Sequence, residues 1–206
     1  MKILYIDTSS SFLYTGIVDN HKLIAERKKE YGTKLSEEAL PEIINMMEAQ
    51  KVLPNDIDKI IVVNGPGSFT GIRIGITIAK VWAWGLDIPI TTISALDAMR
   101  LSCDKKGLKI PIINARRGYV FGAIYEGDNV ILKPSHIKLE ELINKIGKNK
   151  DYTFITNDEF EEIENVEPYC ANIERIVTTY EKKASKNPHS VNPEYLKLTE
   201  AEENNK

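Results

Sequence analysis

Apolar residues at the start of the chain fall in short runs separated by polar turns. Lys2 to Ile6 has the pattern of a buried strand ending at the polar cluster Asp7-Thr8-Ser9-Ser10, and Phe12 to Val18 reads as a second strand. Asp19-Asn20 is a hairpin signal, and Lys22 to Lys28 then completes an antiparallel meander. The period changes next. Leu40, Ile43, Ile44 and Met47 recur at the i, i+3, i+4, i+7 spacing of one helix face, with Ser36 as N-cap candidate and Glu37 and Glu38 favourable in the first turn. Pro41 lacks the N–H that a helix interior needs, so the helix is expected to kink there or to begin there.

Lys59 to Val63 is a short β-branched run, followed by the loop Asn64-Gly65-Pro66-Gly67-Ser68-Phe69 and a helical pattern from Thr70 to Trp84 that Gly85 can end. Pro89 to Ser94 reads as a strand, and Ala95 to Cys103 as a short helix capped by Ser94. After the polar break Asp104-Lys105-Lys106-Gly107 the opening pattern returns. Lys109 to Asn114, Tyr119 to Tyr125 and Val130 to Leu132 read as strands, joined by the turns Ala115-Arg116-Arg117-Gly118 and Glu126-Gly127-Asp128-Asn129. A helix at Leu139 to Ile146, a strand at Thr153 to Ile155 and a helix across Ala171 to Tyr180 follow, and the charged tail Thr199 to Lys206 is expected to fray. The strand–strand–strand–helix order thus occurs twice without repeated residue identities, a hint of internal duplication. The expected division is residues 1–104 and 105–206.

Bulk composition narrows the classes of function. In 206 residues, 42% hydrophobic and 28% charged content describe a folded chain. Lys plus Arg (27) against Asp plus Glu (30) gives a net charge of −3, so no global basic field draws in a polyanion, and phosphate contacts to RNA would fall mainly to another subunit. Cys103 and Cys170 are too few for a disulfide framework or a four-thiolate zinc site and suit a reducing cytoplasm. No apolar run nears the roughly 18 residues that span a bilayer, so no membrane role is expected.

Asn64 to Lys80, NGPGSFTGIRIGITIAK, holds most of the candidate chemistry. A Gly-rich turn entering a helix aims backbone N–H groups at one point, which suits a phosphate or carboxylate; equally, Gly65 and Gly67 supply angles that a tight turn needs. The candidate anion or nucleotide loop is Gly65, Gly67, Ser68, Thr70 and Gly71, with Asp7 as the residue that would face a nucleotide-bound cation or simply end a strand. Named motifs fail. Ile72, not Lys, follows Gly71, so there is no P-loop; Thr70 occupies a glycine position of the dinucleotide fingerprint; and Pro66 stands where a hydrolase elbow needs Gly before Ser68. Ser68 therefore reads as a turn or cap residue. Gly71, Gly75, Ala79 and Ala83 stand four apart and leave one helix stripe nearly bare. Helix glycines cost about 1 kcal/mol each relative to Ala, so the stripe implies close packing, either against an internal neighbour or against another subunit. His21, His136 and His189 are too scattered for a metal site, and Gly118, Gly122, Gly127 and Gly147 contain no Gly-Gly pair of an adenosine loop. No metal and no autonomous cofactor are expected.

Asp7 to Ser10 (DTSS) and NGPGSFTGIRIGITIAK, together with the element order, closely resemble the TsaB (YeaZ) family. ARRGYVFGAIY at Ala115 to Tyr125, Ser94-Ala95-Leu96 and NPEYLKLTEAE at Asn192 to Glu202 extend the likeness over most of the chain. The resemblance implies an α/β, actin-like ATPase (ribonuclease H-like) fold of two related βββαβα halves, the second shortened. It implies a non-catalytic subunit that binds and activates a TsaD-like enzyme, which carries the metal and transfers threonylcarbamoyl to tRNA adenosine, with a TsaE-like ATPase joining them. The partner face, or a homodimer face when the chain is alone, would be Leu40, Ile43, Ile44, Met47, Gly71, Gly75, Ala79 and Ala83. Contact with tRNA would come mainly through the complex, ATP or ADP would sit at a subunit junction, and Arg116 and Arg117 would make polar contacts. Two departures stand out: Leu35-Ser36 where the family commonly has His-Ser, and Asn114 where it commonly has Asp. Both weaken a catalytic reading, as does the absence of clustered ligands for a metallopeptidase. The competing reading is an actin-like small-molecule kinase or ATPase that uses Asp7 and the loop Gly65 to Gly71.

Overall fold

The computed structural model describes residues 1–147 and 151–197. Strands β1 (Lys2–Asp7), β2 (Phe12–Asp19), β3 (Lys22–Glu30), β4 (Lys59–Val63) and β5 (Ile90–Ile93) form one sheet in the order β3-β2-β1-β4-β5. The first three are antiparallel, and β4 and β5 run parallel to β1. Strands β6 (Leu108–Asn114), β7 (Tyr119–Glu126), β8 (Asn129–Lys138), β9 (Tyr152–Ile155) and β10 (Val166–Glu167) repeat this plan in a second sheet, with β7 and β8 antiparallel and β9 and β10 parallel to β6. The duplication hinted at by element order is therefore a duplication of topology. Paired mixed sheets of this order make the chain an actin-like α/β protein.

Helix α1 (Leu35–Ala49) joins β3 to β4, α2 (Phe69–Gly85) joins β4 to β5, and α3 (Ala95–Ser102) follows β5. In the second half α4 (Leu139–Ile146) joins β8 to β9, irregular chain joins β9 to β10, and α5 (Ile173–Tyr180) follows β10. Alternation along each strand decides what each face covers. Leu4 and Ile6 join Ile43, Met46, Ile72 and Ile76 beneath α1 and α2, while Ile3 and Tyr5 face α3 and α5 with Met99, Ile173 and Ile176. Leu108, Ile110, Ile112 and Val120 pack against Leu139 and Leu142 of α4. Central β4 is covered on both faces and reads as an unbroken apolar run, whose buried Lys59 end donates to the Glu181 and Lys183 carbonyls at 2.8 and 3.1 Å.

Several expectations need correction. Helix α1 begins at Leu35, before Pro41 and not at it, and is entered from a 3-10 turn at Gly32–Lys34 with Lys34, not Ser36, as N-cap. Pro41 lies on the exposed side, where the missing N–H leaves a carbonyl facing water. Ser94 occupies the N-cap position of α3, yet its hydroxyl makes no capping bond. Strand β8 is much longer than Val130 to Leu132, and β10 is too short for any periodic pattern. The sheets divide at residues 104 and 105, whereas α5 and the chain beyond it, assigned by sequence to the second half, pack on the first. Leu23 N–H bonds Glu174, Lys186 bridges Ile90, and Val191 is fully buried among Ile72, Ile76 and Ala79. The tail Thr199 to Lys206 and residues 198–202 of the closing segment lie outside the described residues.

Candidate functional site

A cleft of about 620 Å³ lies between the halves. The β1–β2 turn (Ser9, Ser10, Ser11) and the β6–β7 turn (Asn114, Arg116) contribute equivalent positions from the two sheets, and Phe12, Phe121, Met99 and Tyr169 supply apolar surface. Asn157 and Asp158, at the end of β9, complete the second-half wall. Asp158 accepts from Asn114 N–H at 2.7 Å, and Asn114 Oδ1 accepts from Arg116 N–H at 2.8 Å. Arg116 and Arg117 both hold positive φ, a conformation costing roughly 1–2 kcal/mol for a non-glycine residue. The turn separates them: Arg116 lines the cleft, and Arg117 lies on the α4 side with Lys138 and Glu140.

Asp7 does not face this cleft. Its carboxylate is buried and accepts from the Ser9 N–H (2.9 Å), the Ser9 hydroxyl (2.7 Å), Tyr169 (3.1 Å) and Tyr5 (3.4 Å). Burial raises its pKa above the ordinary carboxylate value, and these hydrogen bonds only partly oppose the rise. Of its donors, Ser9 and Tyr169 line the cleft, so Asp7 lies directly beneath the cleft floor with its acceptor directions taken by protein donors.

The Gly-rich loop lines the cleft through Gly67, Ser68 and Thr70 and is also tied to the protein interior. Ser68 N–H donates to the Ser9 carbonyl at 2.7 Å, and Ser68 caps α2 by accepting from Gly71 N–H at 3.2 Å. A Cβ at Gly67 would stand 2.2 Å from the Ser9 carbonyl oxygen, and one at Gly65 2.6 Å from that of Glu194. These glycines admit the β1–β2 turn and the chain near Glu194, which is the packing alternative to a phosphate cradle. Thr70 is exposed at the cleft wall.

The bare stripe of α2 also packs inside. A Cβ at Gly71 would lie 2.1 Å from the Thr8 carbonyl oxygen, and one at Gly75 2.4 Å from Thr8 Oγ1; Ala79 and Ala83 are buried. Ile43 and Met47 are buried in the same core, Met47 also reaching the groove between the helix ends, while Leu40 and Ile44 are 39% and 40% exposed. The exposed face of the two helices carries other residues: Val81 at 58%, Trp84 at 68% and neighbouring Leu53 at 66% exposure. Ile44, Leu53, Val81 and Trp82 line a groove of about 510 Å³ between the ends of α1 and α2. Sequence reasoning missed Val81 and Trp84 by following the small residues. The signal was on the other stripe, where large apolar side chains stand opposite a face of Gly and Ala. Tyr169 and Asn157 were missed too; Asn157 was reachable by matching the end of β9 to the end of β4.

Among the described residues no group of three or more His, Cys, Asp and Glu side chains is placed to hold a metal ion, and no helix is long and apolar enough to cross a membrane. His21 faces Glu181, His136 stacks on Tyr119, and His189 lies against Trp84. Cys103 and Cys170 are free thiols.

Duplicated sheets around an inter-half cleft define the class, an actin-like fold, and the family model for TsaD, tRNA N6-adenosine threonylcarbamoyltransferase, matches residues 25–167. Within that class the chain belongs to the TsaB (YeaZ) family. The tRNA threonylcarbamoyladenosine biosynthesis protein TsaB of Bacillus subtilis is 31% identical over 98% of this chain and 96% of its own length. Escherichia coli TsaB is 29% identical over 69% of this chain and 68% of its own length. Two solved YeaZ-type structures from Pseudomonas aeruginosa share the fold with TM-scores of 0.79 and 0.72 at 15% and 16% identity, each covering 95% of this chain and 99% of the other.

Proposed function

We propose that this chain is a non-catalytic subunit in tRNA threonylcarbamoyladenosine biosynthesis that binds and activates a TsaD-like enzyme through the outer face of α1 and α2. The observation that carries this reading is the apolar groove bounded by Ile44, Leu53 and Val81, with Trp84 standing beside it. Clustered exposed apolar side chains of this kind mark interaction sites, and a large aromatic at the centre of a contact commonly supplies a hot spot. The inward turn of Asp7 supports the non-catalytic part.

The same face serves a homodimer when the chain is alone. A TsaE-like ATPase joins the assembly, tRNA is held mainly by the other subunits, and ATP or ADP lies at a subunit junction and not in this chain by itself. The setting is cytoplasmic. The test is threonylcarbamoylation of tRNA by the TsaD-like enzyme, with TsaE and ATP, in the presence and absence of this chain. Product only with the chain is expected, and Trp84→Glu is expected to lose both partner binding and activation while keeping its circular dichroism. Equal product without the chain overturns the activating role. The competing reading, an actin-like kinase or ATPase, has the size of the cleft in its favour. It requires saturable, magnesium-dependent heat on titrating the isolated chain with ATP.

A further inference from the structure

A buried polar seam joins the two halves at the floor of the cleft. Tyr5 and Asp7 on β1 and Tyr14 on β2 come from the first half; Asn157 follows β9 and Tyr169 follows β10. Tyr169 Oη donates to Asp7 Oδ2, which Tyr5 also reaches, while the other carboxylate oxygen takes both Ser9 donors. The Tyr169 carbonyl accepts from Tyr14 Oη at 3.1 Å and from Asn157 Nδ2 at 3.0 Å. The Tyr14 and Tyr169 rings meet with centroids 5.1 Å apart. The side chains of Tyr5, Asp7 and Tyr169 thus share one acceptor group across the seam, and Tyr5 and Asp7 are almost completely shielded from water.

We propose that this network is a latch: Asp7 grips Tyr169, and through Tyr169 the second half, so that the cleft is held at one aperture instead of closing on a ligand. Domain closure requires a seam that yields when the halves rotate. Here rotation would strip the Tyr169 donor from a buried carboxylate oxygen, leaving Oδ2 with only the long 3.4 Å bond from Tyr5. The apolar packing around the network acts in the same sense, because Ile3, Tyr5 and Tyr14 share one continuous core with Ala123, Tyr125 and Ile155 of the second sheet. The strand-end carboxylate is then a fastening between halves, and Ser9, bonded twice to it, carries that rigidity into the β1–β2 turn at the cleft wall. This inference does not depend on which partner the chain serves.

Native-state hydrogen exchange on the whole protein tests it. Tyr169→Phe keeps the ring and removes the hydroxyl. Amides of residues 8–11 in the first half and 156–158 in the second are expected to exchange about tenfold faster together, with the centres of both sheets unchanged. Asp7→Asn, which turns one of the two acceptor oxygens into a donor, is expected to accelerate the same two sets of amides, and the double variant to fall short of the sum, because the Asp7–Tyr169 bond is lost to both. Unchanged exchange, acceleration confined to one half, or additive effects in the double variant would overturn the latch. Should Asp7→Asn fail to fold, Asn157→Ala serves instead. It removes the 3.3 Å bond from Asn157 Nδ2 to Tyr14 Oη, which crosses the seam without touching Asp7, along with the bond to the Tyr169 carbonyl, and coupled acceleration on both sides is again expected, with a one-sided response counting against the latch.

Discussion

Thr8 explains why positions 71 and 75 of α2 are glycine. Its carbonyl and hydroxyl lie where side chains at Gly71 and Gly75 would go, and its hydroxyl donates to the Gly71 carbonyl at 2.7 Å. Gly71→Ala meets backbone and is expected to destabilise by about 3 kcal/mol, read from denaturant midpoints. Gly75→Ala meets a side chain that can be removed, so its cost should shrink in a Thr8→Ala background; equal cost in both backgrounds would remove Thr8 from the explanation. Asp7 makes a prediction in pH. Its folded pKa lies above the 3.8 of an unburied aspartate, so between those two values the folded state holds more protons than the unfolded one. Asp7's contribution is fully present below 3.8 and is lost as pH rises through the raised value, in a setting where Tyr5, Tyr14 and Tyr169 are the neighbouring titratable groups. Relative to wild type, Asp7→Asn should flatten stability against pH over that window, and parallel curves would contradict the assignment. None of this was legible at the level of one residue. The glycine spacing was visible in the chain, but Thr8 stands 63 positions before Gly71 and is brought to the stripe only by the fold.

Elements were more legible than the surfaces they bury. The meander, α2 and α4 could be read because polar punctuation and helical period agree along each of them. Of the two readings that Pro41 left open for α1, a start at the proline fails, because packing of Leu35, Ala39 and Ile43 carries the helix past it. Replacing Pro41 with Ala restores a donor to the Glu37 carbonyl and should stabilise the chain by about 1 kcal/mol, the helix gain being partly offset by a freer unfolded state. A lower thermal midpoint would mean that the proline shapes the helix axis for its packing. The face of α2 was misassigned because small residues announce close approach without saying to what. Both stripes recur at helical spacing, and only burial tells which one meets the β1–β2 turn and which one water. The loss of the helix between β9 and β10 is what makes the second half short, and the chain there has no period to read.

At the scale of the molecule, duplication is carried by topology while the halves remain unequal partners in stability. The first sheet depends on α5 and on Val191, which lie far along the chain and contribute Ile173, Ile176 and Val177 to one of its faces and Val191 to the other. A fragment of residues 1–104 therefore leaves apolar surface uncovered on both sides of that sheet and is expected to lack a cooperative thermal transition, whereas the whole chain is expected to show one. A cooperative transition in the short fragment would show that the first half stands alone.

The return of residues 183–197 across the first half sets the order in which the protein is finished on the ribosome. Translation delivers β1 first, yet the groove that takes Val191 stays empty until nearly the whole described chain has been made. The second sheet has its strands and α4 available before then, so the half made first is the half completed last. The face that α1 and α2 present to a partner rests on that same core, so that face is expected to reach its final packing only once residues 183–197 are in place.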